Sequence, residues 1–429
     1  MRVRRLPLVS LLGLVVSATF LSASAPDLPG RLTDQEFWRL SQELSEPDGS
    51  FQSDNLLSNE VVFGRLVPAL EARTTPSDVY LGVGPEQNFT YIAAMKPRMA
   101  FITDIRRGNL HAQLMYKALF ELSKDRAEFV SRLFTKPRPA TLTASSSVLE
   151  IMNAYWDTFS ADEATFTRNL ADVQALLTKT HHIPLNQSDL DGVASVYRAF
   201  YWYGPGMNYS ARTNLAAPAT YAPTGAGTYW AMMTQTDQAG QSFSYLASEA
   251  RFAVLKDLES RNLIVPVVGN FSGPTALRAV GAYVKDHGAT VSAFYLSNVE
   301  SYLQRDGSWP SFCANVATFP LDDASVFIRP SAIRRAGSPP LTNAVVNGQP
   351  IQFVVFTPQS GGSFTTPVPP PGANVVYLPA PATGRADSAA LVPPKSPSAP
   401  TSTTPNDQML QSGLIPIKAD VQACRGGGW

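Results

Sequence analysis

Gly82, Gly84, Glu86 and Asp104 are the residues whose types and spacing could hold a small molecule. The first three lie in Tyr80-Leu-Gly-Val-Gly-Pro-Glu-Gln-Asn-Phe-Thr-Tyr91, an apolar run that breaks at a glycine pair. Glycine permits the sharp turn and lets a ligand approach the backbone. Asp104 follows about 20 residues on, the spacing at which a carboxylate on a neighbouring strand accepts bonds from both ribose hydroxyls. Glu86 narrows the ligand further. A carboxylate in the first turn of a helix satisfies the helix dipole internally and repels a pyrophosphate. The ligand it implies lacks phosphate. A second reading stays open beside this one. It is a tight strand–helix turn whose acid, Asp104, caps a helix or pairs with Arg106 or Arg107.

Other chemistry-bearing residues point less sharply. No nucleophile elbow of the G-x-S-x-G type occurs. No cysteine or histidine cluster has zinc spacing, so no metal site is expected, and His181-His182 reads as a solvated loop. Arg106 and Arg107 sit beside the candidate turn and could clamp a carboxylate or phosphate; a solvated loop is the preferred reading. "FYWYGPGMNY" (200–209) suits a pocket wall, and suits core or interface better. Ser297-Asn-Val-Glu300 lies at the ligand edge of a strand and is read as a helix capping box. Asn88, Asn186, Asn208 and Asn270 begin sequons.

The elements that must position these residues follow from periodicity. "DVYLGV" and "MAFITDI" read as short apolar strands, each followed by a helix. The first helix runs from about Pro85 to Met95. The second starts with Asn109 as N-cap and carries Leu110, Leu114, Ala118 and Leu122 on one stripe. The grammar repeats later: a helix over 245–261, the strand 263–269, a helix opened by Ser272-Gly273-Pro274 and closed by His287-Gly288, the strand 290–296, another helix, and "ASVFIRP" as a last strand. Alternating strand and helix predict an α/β fold, a three-layer, doubly wound, mostly parallel sheet over residues 32–330. Residues 125–244 read as a largely helical insertion. Residues 331–429 are rich in Pro, Ser and Thr and cannot bury enough apolar surface to offset chain entropy. They are expected to form a disordered tail, interrupted by β-like pieces at 351–356 and 374–378, and the tail offers proline-rich segments to a protein partner.

Composition excludes some classes. The chain has 429 residues, 44% of them apolar, and its 34 basic and 34 acidic residues cancel. No basic stripe appears, so no nucleic-acid partner is expected. The start, MRVRR, an apolar run and then SASAP, reads as a signal peptide over residues 1–25. That predicts an exported, periplasmic or extracellular protein with no membrane span in the mature chain. An uncleaved anchor is the less favoured form. Export permits a disulfide between Cys313 and Cys424, which spacing alone does not establish.

The candidate residues also carry a resemblance. "YLGVGPEQN" followed by "FITDI" resembles the first two motifs of the class I S-adenosylmethionine-dependent methyltransferase superfamily, over the span from Asp78 to Leu122. The resemblance implies a divergent bacterial member with a Rossmann-like sheet and S-adenosylmethionine as cofactor. It implies that Gly82 and Gly84 line the methionine and ribose, with Glu86 at the position of the third glycine. Asp104 would hold the ribose hydroxyls, and Asn270-Phe271, after the third recognised strand, would take the substrate-facing motif. Tyr80 stands where the family has an acid, and Pro266 falls in what should be an inner strand, where proline is disfavoured. The implied function is an exported methyltransferase-like protein of unknown or lost activity. The alternative is a non-catalytic envelope protein that binds a small molecule or partner.

Overall fold

Every residue of the strands β1 (Val79–Val83), β2 (Met99–Asp104), β3 (Ile264–Val268) and β4 (Val291–Tyr295) is buried. Short apolar runs without alternation are what a sheet covered on both faces requires. β5 (Val326–Pro330) follows, then a hairpin of β6 (Ala344–Val346) and β7 (Gln349–Ile351), and last β8 (Ser412–Pro416). The computed structural model describes residues 27–58, 60, 63–73, 78–156, 162–214, 227–236, 240–330, 344–346, 349–351, 412–418 and 420–421. The main sheet has the order β3-β2-β1-β4-β5-β8. All its pairs are parallel except β5 with β8. The chain therefore grows outward from β1 in one direction and then restarts beside it in the other. Ligand crevices form at such a reversal, beyond the carboxyl ends of the strands.

The helices are α1 (Asp34–Leu44), α2 (Val67–Glu71), α3 (Gln87–Met95), α4 (Arg107–Leu122), α5 (Arg126–Leu133), α6 (Val148–Trp156), α7 (Glu163–Ala175), α8 (Gln187–Tyr203), α9 (Tyr229–Thr234), α10 (Glu249–Ser260), α11 (Ala276–Asp286), α12 (Val299–Arg305) and α13 (Trp309–Val316). Right-handed crossovers place α3 and α4 on one face of the sheet and α11 on the other. Contacts agree: α10 packs on α3 and α4, whereas α1 and α13 pack on α11. The expected insertion is helical, α5 to α9, and its α8 lies along α4. Among the described residues no helix is long and apolar enough to cross a membrane.

Four local outcomes refine the sequence reading. Pro266 is tolerated because β3 is an edge strand, not an inner one. α1 covers that edge. Its Phe37, Leu40, Ser41 and Leu44 are buried on one stripe, and Ser41 Oγ donates to the Pro266 carbonyl at 2.6 Å. Asn109 is not the cap of α4, which starts two residues earlier at Arg107, for a reason given below. The capping box at Ser297–Glu300 does not form. α12 starts at Val299 with no side-chain cap, Ser297 has φ +47°, and Glu300 turns to Arg329 of β5 at 3.3 Å.

The edge next to β5 is closed by β8, from a stretch read as tail. The 351–356 piece enters the described residues only at Ile351, in β7, and 374–378 lies outside them. Residues 1–26, which include the expected signal peptide, also lie outside them. Cys313 in α13 is disulfide-bonded, and Cys424, the chain's other cysteine, is outside the described residues.

Candidate functional site

The register of β1 against β2 pairs Gly82 with Ile102 and Val83 with Thr103, which brings Gly84 beside Asp104. Gly84 has φ +75°, a conformation that glycine adopts without strain. Its turn is tied from inside. Asn88 Nδ2 donates to the carbonyls of Pro85 (2.7 Å) and Val83 (3.0 Å), and Tyr80 OH donates to Asn88 Oδ1 at 2.9 Å. Asn88 and Tyr80 also fill the space above Gly82, where any Cβ would overlap Asn88 Oδ1. The glycine at 82 thus makes room for a side chain of this protein. Tyr80, where the resembling family has an acid, is one anchor of that arrangement.

Asp104 is buried, and its carboxylate is engaged. Oδ1 accepts from the Arg106 amide at 3.0 Å and Oδ2 accepts from Asn55 Nδ2 at 3.3 Å. Burial pushes its carboxyl above the ordinary range, partly offset by the Arg106 charge, the Arg106 amide and Asn55.

Asn55 belongs to a strap, residues 46–55, laid across the carboxyl ends of the strands. The Glu46 amide donates to the Val268 carbonyl at the end of β3, and the Gly49 amide to the Ile105 carbonyl just past β2. Phe51 packs edge-on against Tyr302 of α12, with ring centroids 5.0 Å apart. Two helices take their caps from this strap. Asp48 Oδ1 accepts from the Arg107 amide at 2.7 Å, which is why α4 begins there and not after Asn109. Glu46 accepts from the amides of Asn270 (3.0 Å), Thr275 (2.8 Å) and Ala276 (2.9 Å) at the start of α11. An anion at a helix N-terminus is stabilised by the free amides and the dipole. Here the chain supplies both anions itself. The turn before α9 fastens the strap from above: the Thr213 amide donates to Asp54 Oδ2 at 2.6 Å, and Arg106 reaches the Asp54 carbonyl.

Glu86 faces the other way, into the protein. It is fully buried, and neither carboxyl oxygen completes a hydrogen bond among the described residues. Burial pushes its carboxyl up to about 8, against a smaller pull from the amides of Glu86 and Ser58. At neutral pH the group is largely protonated, so the repulsion of phosphate expected from the sequence is weakened.

Asn270 and Phe271 are not brought to this crevice. They follow β3, which is separated from β1 by β2. Asn270 is exposed and its Oδ1 accepts from the Ser272 amide, while Phe271 is buried among Phe294 and Phe312. Position in the sheet is the reason. The third strand in sequence is not the strand that flanks β1 on the switch side; that strand is β4. At the end of β4, Tyr295 OH donates to Glu60 Oε1 (2.7 Å) and Gln87 Oε1 (2.9 Å), in a buried network with Tyr91. Glu60, Gln87, Tyr295 and the strap escaped sequence reasoning. A usable signal existed: α4 begins after an arginine, which cannot accept from helix amides, so a distant acceptor was needed.

Among the described residues no three His, Cys, Asp or Glu side chains gather to hold a metal ion. The site offers instead a corner at Gly84 and Asp104, whose carboxylate is already bonded, and a separate buried carboxyl at Glu86. Residues 56–200 and 208–359, more than two-thirds of the chain, match the family described as domain of unknown function (DUF7790). The match begins at the residue after the strap. No curated protein matches the chain.

Proposed function

The chain belongs to the DUF7790 family, and for this member we propose an exported, methyltransferase-like protein without methyl-transfer activity, its nucleoside-type crevice closed by its own strap. The observation that carries this reading is the engagement of Asp104 by Asn55 and the Arg106 amide. S-adenosylmethionine does not fit the crevice in this form, because the carboxylate that would take its ribose hydroxyls is bonded and the space at Gly82 holds Asn88. We therefore assign no methyl-transfer step to these residues. The strand order supports the likeness to nucleoside-binding sheets, in which the first strand lies at the switch point. The leader and the Cys313 disulfide support export, since disulfides persist in oxidising compartments.

A second reading is an enzyme whose strap lifts away. The placing of Asp104 beside Gly84 favours it, since a Cβ on Gly84 would lie 3.8 Å from Asp104 Oδ2. Calorimetric titration of the full chain with S-adenosylmethionine and S-adenosylhomocysteine separates the two. The closed reading expects no heat at about 1 mM ligand, and binding gained when Asp48→Ala and Asn55→Ala loosen the strap. Micromolar binding to the wild type that disappears in Asp104→Ala would replace the closed reading with the enzyme.

A further inference from the structure

His181, expected from the sequence in a solvated loop, is buried where three elements meet. Its Nδ1 lies 2.8 Å from Asp34 Oδ1 in the first turn of α1, and its Nε2 lies 2.8 Å from Glu121 Oε2 in the last turn of α4. Each carboxylate also accepts from a second donor. Lys117 Nζ donates to Glu121 Oε1 at 2.7 Å, and Asn262 Nδ2 donates to Asp34 Oδ1 at 2.8 Å. An ionised carboxylate only accepts, and a neutral imidazole offers one N–H and one lone pair. Two carboxylates on one ring therefore call for the imidazolium, which donates from both nitrogens.

The backbone on either side of the ring is under tension. The π-type turn Leu176–Thr180 follows α7 and leads into it, with the His181 amide donating to the Leu176 carbonyl at 2.9 Å. His182 comes next with φ +49°. Isolated π turns gather at functional sites, and a non-glycine residue in the left-handed region persists only where its surroundings hold it there. On the other side of the ring, α1 covers the β3 edge and runs through Ser45 directly into the strap. The imidazole thus joins the segment after α7, the end of α4 and the beginning of that cover.

We propose that His181 is a proton-operated latch on α1: the imidazolium clamps Asp34 to Glu121, and loss of its proton frees Asp34 and the first turn of α1. The neutral ring keeps one N–H. Glu121 retains it, because Lys117 holds Glu121 in place and its side chain is only 14% exposed, against 36% for Asp34, which can turn to water. The latch works whatever the crevice holds. The bond with Glu121 raises the imidazole above its ordinary value, burial and the Lys117 charge pull it down, and Asp34 adds a smaller rise. The clamp is complete below about pH 6.5 and is lost as pH climbs through the raised value. Glu259, in the last turn of α10, is the other buried acid of this patch. Its backbone carbonyl accepts from Lys117, and burial pushes its carboxyl up to about 8, against a smaller pull from Lys117. Lys179 and His182, on the segment of His181 itself, are exposed.

The test is hydrogen exchange of the full chain, read by mass spectrometry between about pH 6 and about pH 8.5 and corrected for the intrinsic pH dependence of amide exchange. The reporters are the α1 amides from Phe37 to Leu40, the first of which donates to the Thr33 carbonyl at 2.9 Å. Wild type is expected to lose about tenfold in protection there as pH rises through this range, while α11 stays unchanged. Glu121→Gln should keep its protection throughout. Its amide nitrogen donates to the neutral ring, its oxygen still accepts from Lys117, and the Nδ1–H is left for Asp34. His181→Gln should show low protection at every pH, and Glu259→Gln should respond as wild type does. The latch is overturned by wild-type protection that ignores pH, by a loss in Glu121→Gln or His181→Gln equal to that of wild type, by an equal loss in α11, or by a response that vanishes in Glu259→Gln.

Discussion

Glu46 caps a helix that begins 230 residues later: its Oε1 accepts from the Ala276 amide at 2.9 Å. With the Asn270 and Thr275 amides it serves three donors at the start of α11, where Thr275 makes no side-chain cap of its own. Loss of a cap costs about 0.5–2 kcal/mol. Glu46→Ala is expected to lower stability by about 2 kcal/mol, and Glu46→Gln by less, since an amide oxygen still accepts. Urea unfolding midpoints check this, with unchanged slope as the sign that only stability moved.

His181 binds two carboxylates at once, Asp34 through Nδ1 and Glu121 through Nε2, each at 2.8 Å. The bond to Glu121 raises the imidazole above its ordinary value, against burial, with a further rise from Asp34. A raised folded-state value means stability that is complete below about 6.5 and lost as pH climbs through the raised value. Burial opposes ionisation of Glu121, yet His181 and Lys117 hold its carboxyl below the usual range, so its share is lost in acid instead. Wild type is therefore expected to exceed His181→Gln in melting temperature most clearly near pH 6, with the gap narrowing by pH 9. A gap independent of pH would contradict the charged imidazole.

Gly82→Ala is expected to destabilise although alanine is the better strand residue. The new Cβ overlaps Asn88 Oδ1 and comes within 2.9 Å of Tyr80 Cε1. Asn88 must move and release the turn, at a cost of about 2–4 kcal/mol. Gly30→Ala, where nothing lies within 4 Å, is the control and should change little. Chemical denaturation of both variants measures the difference.

Asp189 of α8 holds α4 through Arg107 (2.7 and 3.0 Å) and His111 (2.9 Å). Burial opposes its charge, yet Arg107 and His111 keep its carboxyl below the ordinary range. Asp189→Ala leaves both partners without their acceptor and should cost about 2–3 kcal/mol. Hydrogen exchange should show faster opening at α8 and the first turn of α4 than in the rest of the sheet.

The strands and crossover helices were legible because each is a short apolar run or a regular stripe, and those signals are local. The parallel sheet followed from their alternation. The strap was not legible, since Glu46, Asp48 and Asn55 acquire meaning only through partners far away in sequence. Asn109 was read as a cap because a local rule was applied where a distant residue, Asp48, supplies the acceptor. Asn270 and Phe271 were misplaced relative to the crevice because sequence order does not reveal which strand flanks β1. β8 was hidden in a composition that argues against any strand, and pairing with β5 prevails over that weak local preference.

That pairing fixes where the proline-rich stretch begins and ends. Pro330 and Ser412 stand opposite each other in the ladder, so the chain departs from the sheet and returns to the same place. The connection between them is therefore closed at both ends by one strand pair. Doubling the length of such a loop costs only about 0.6 kcal/mol. Changes in its length are therefore expected to leave the sheet intact, since neither strand of the pair has to move.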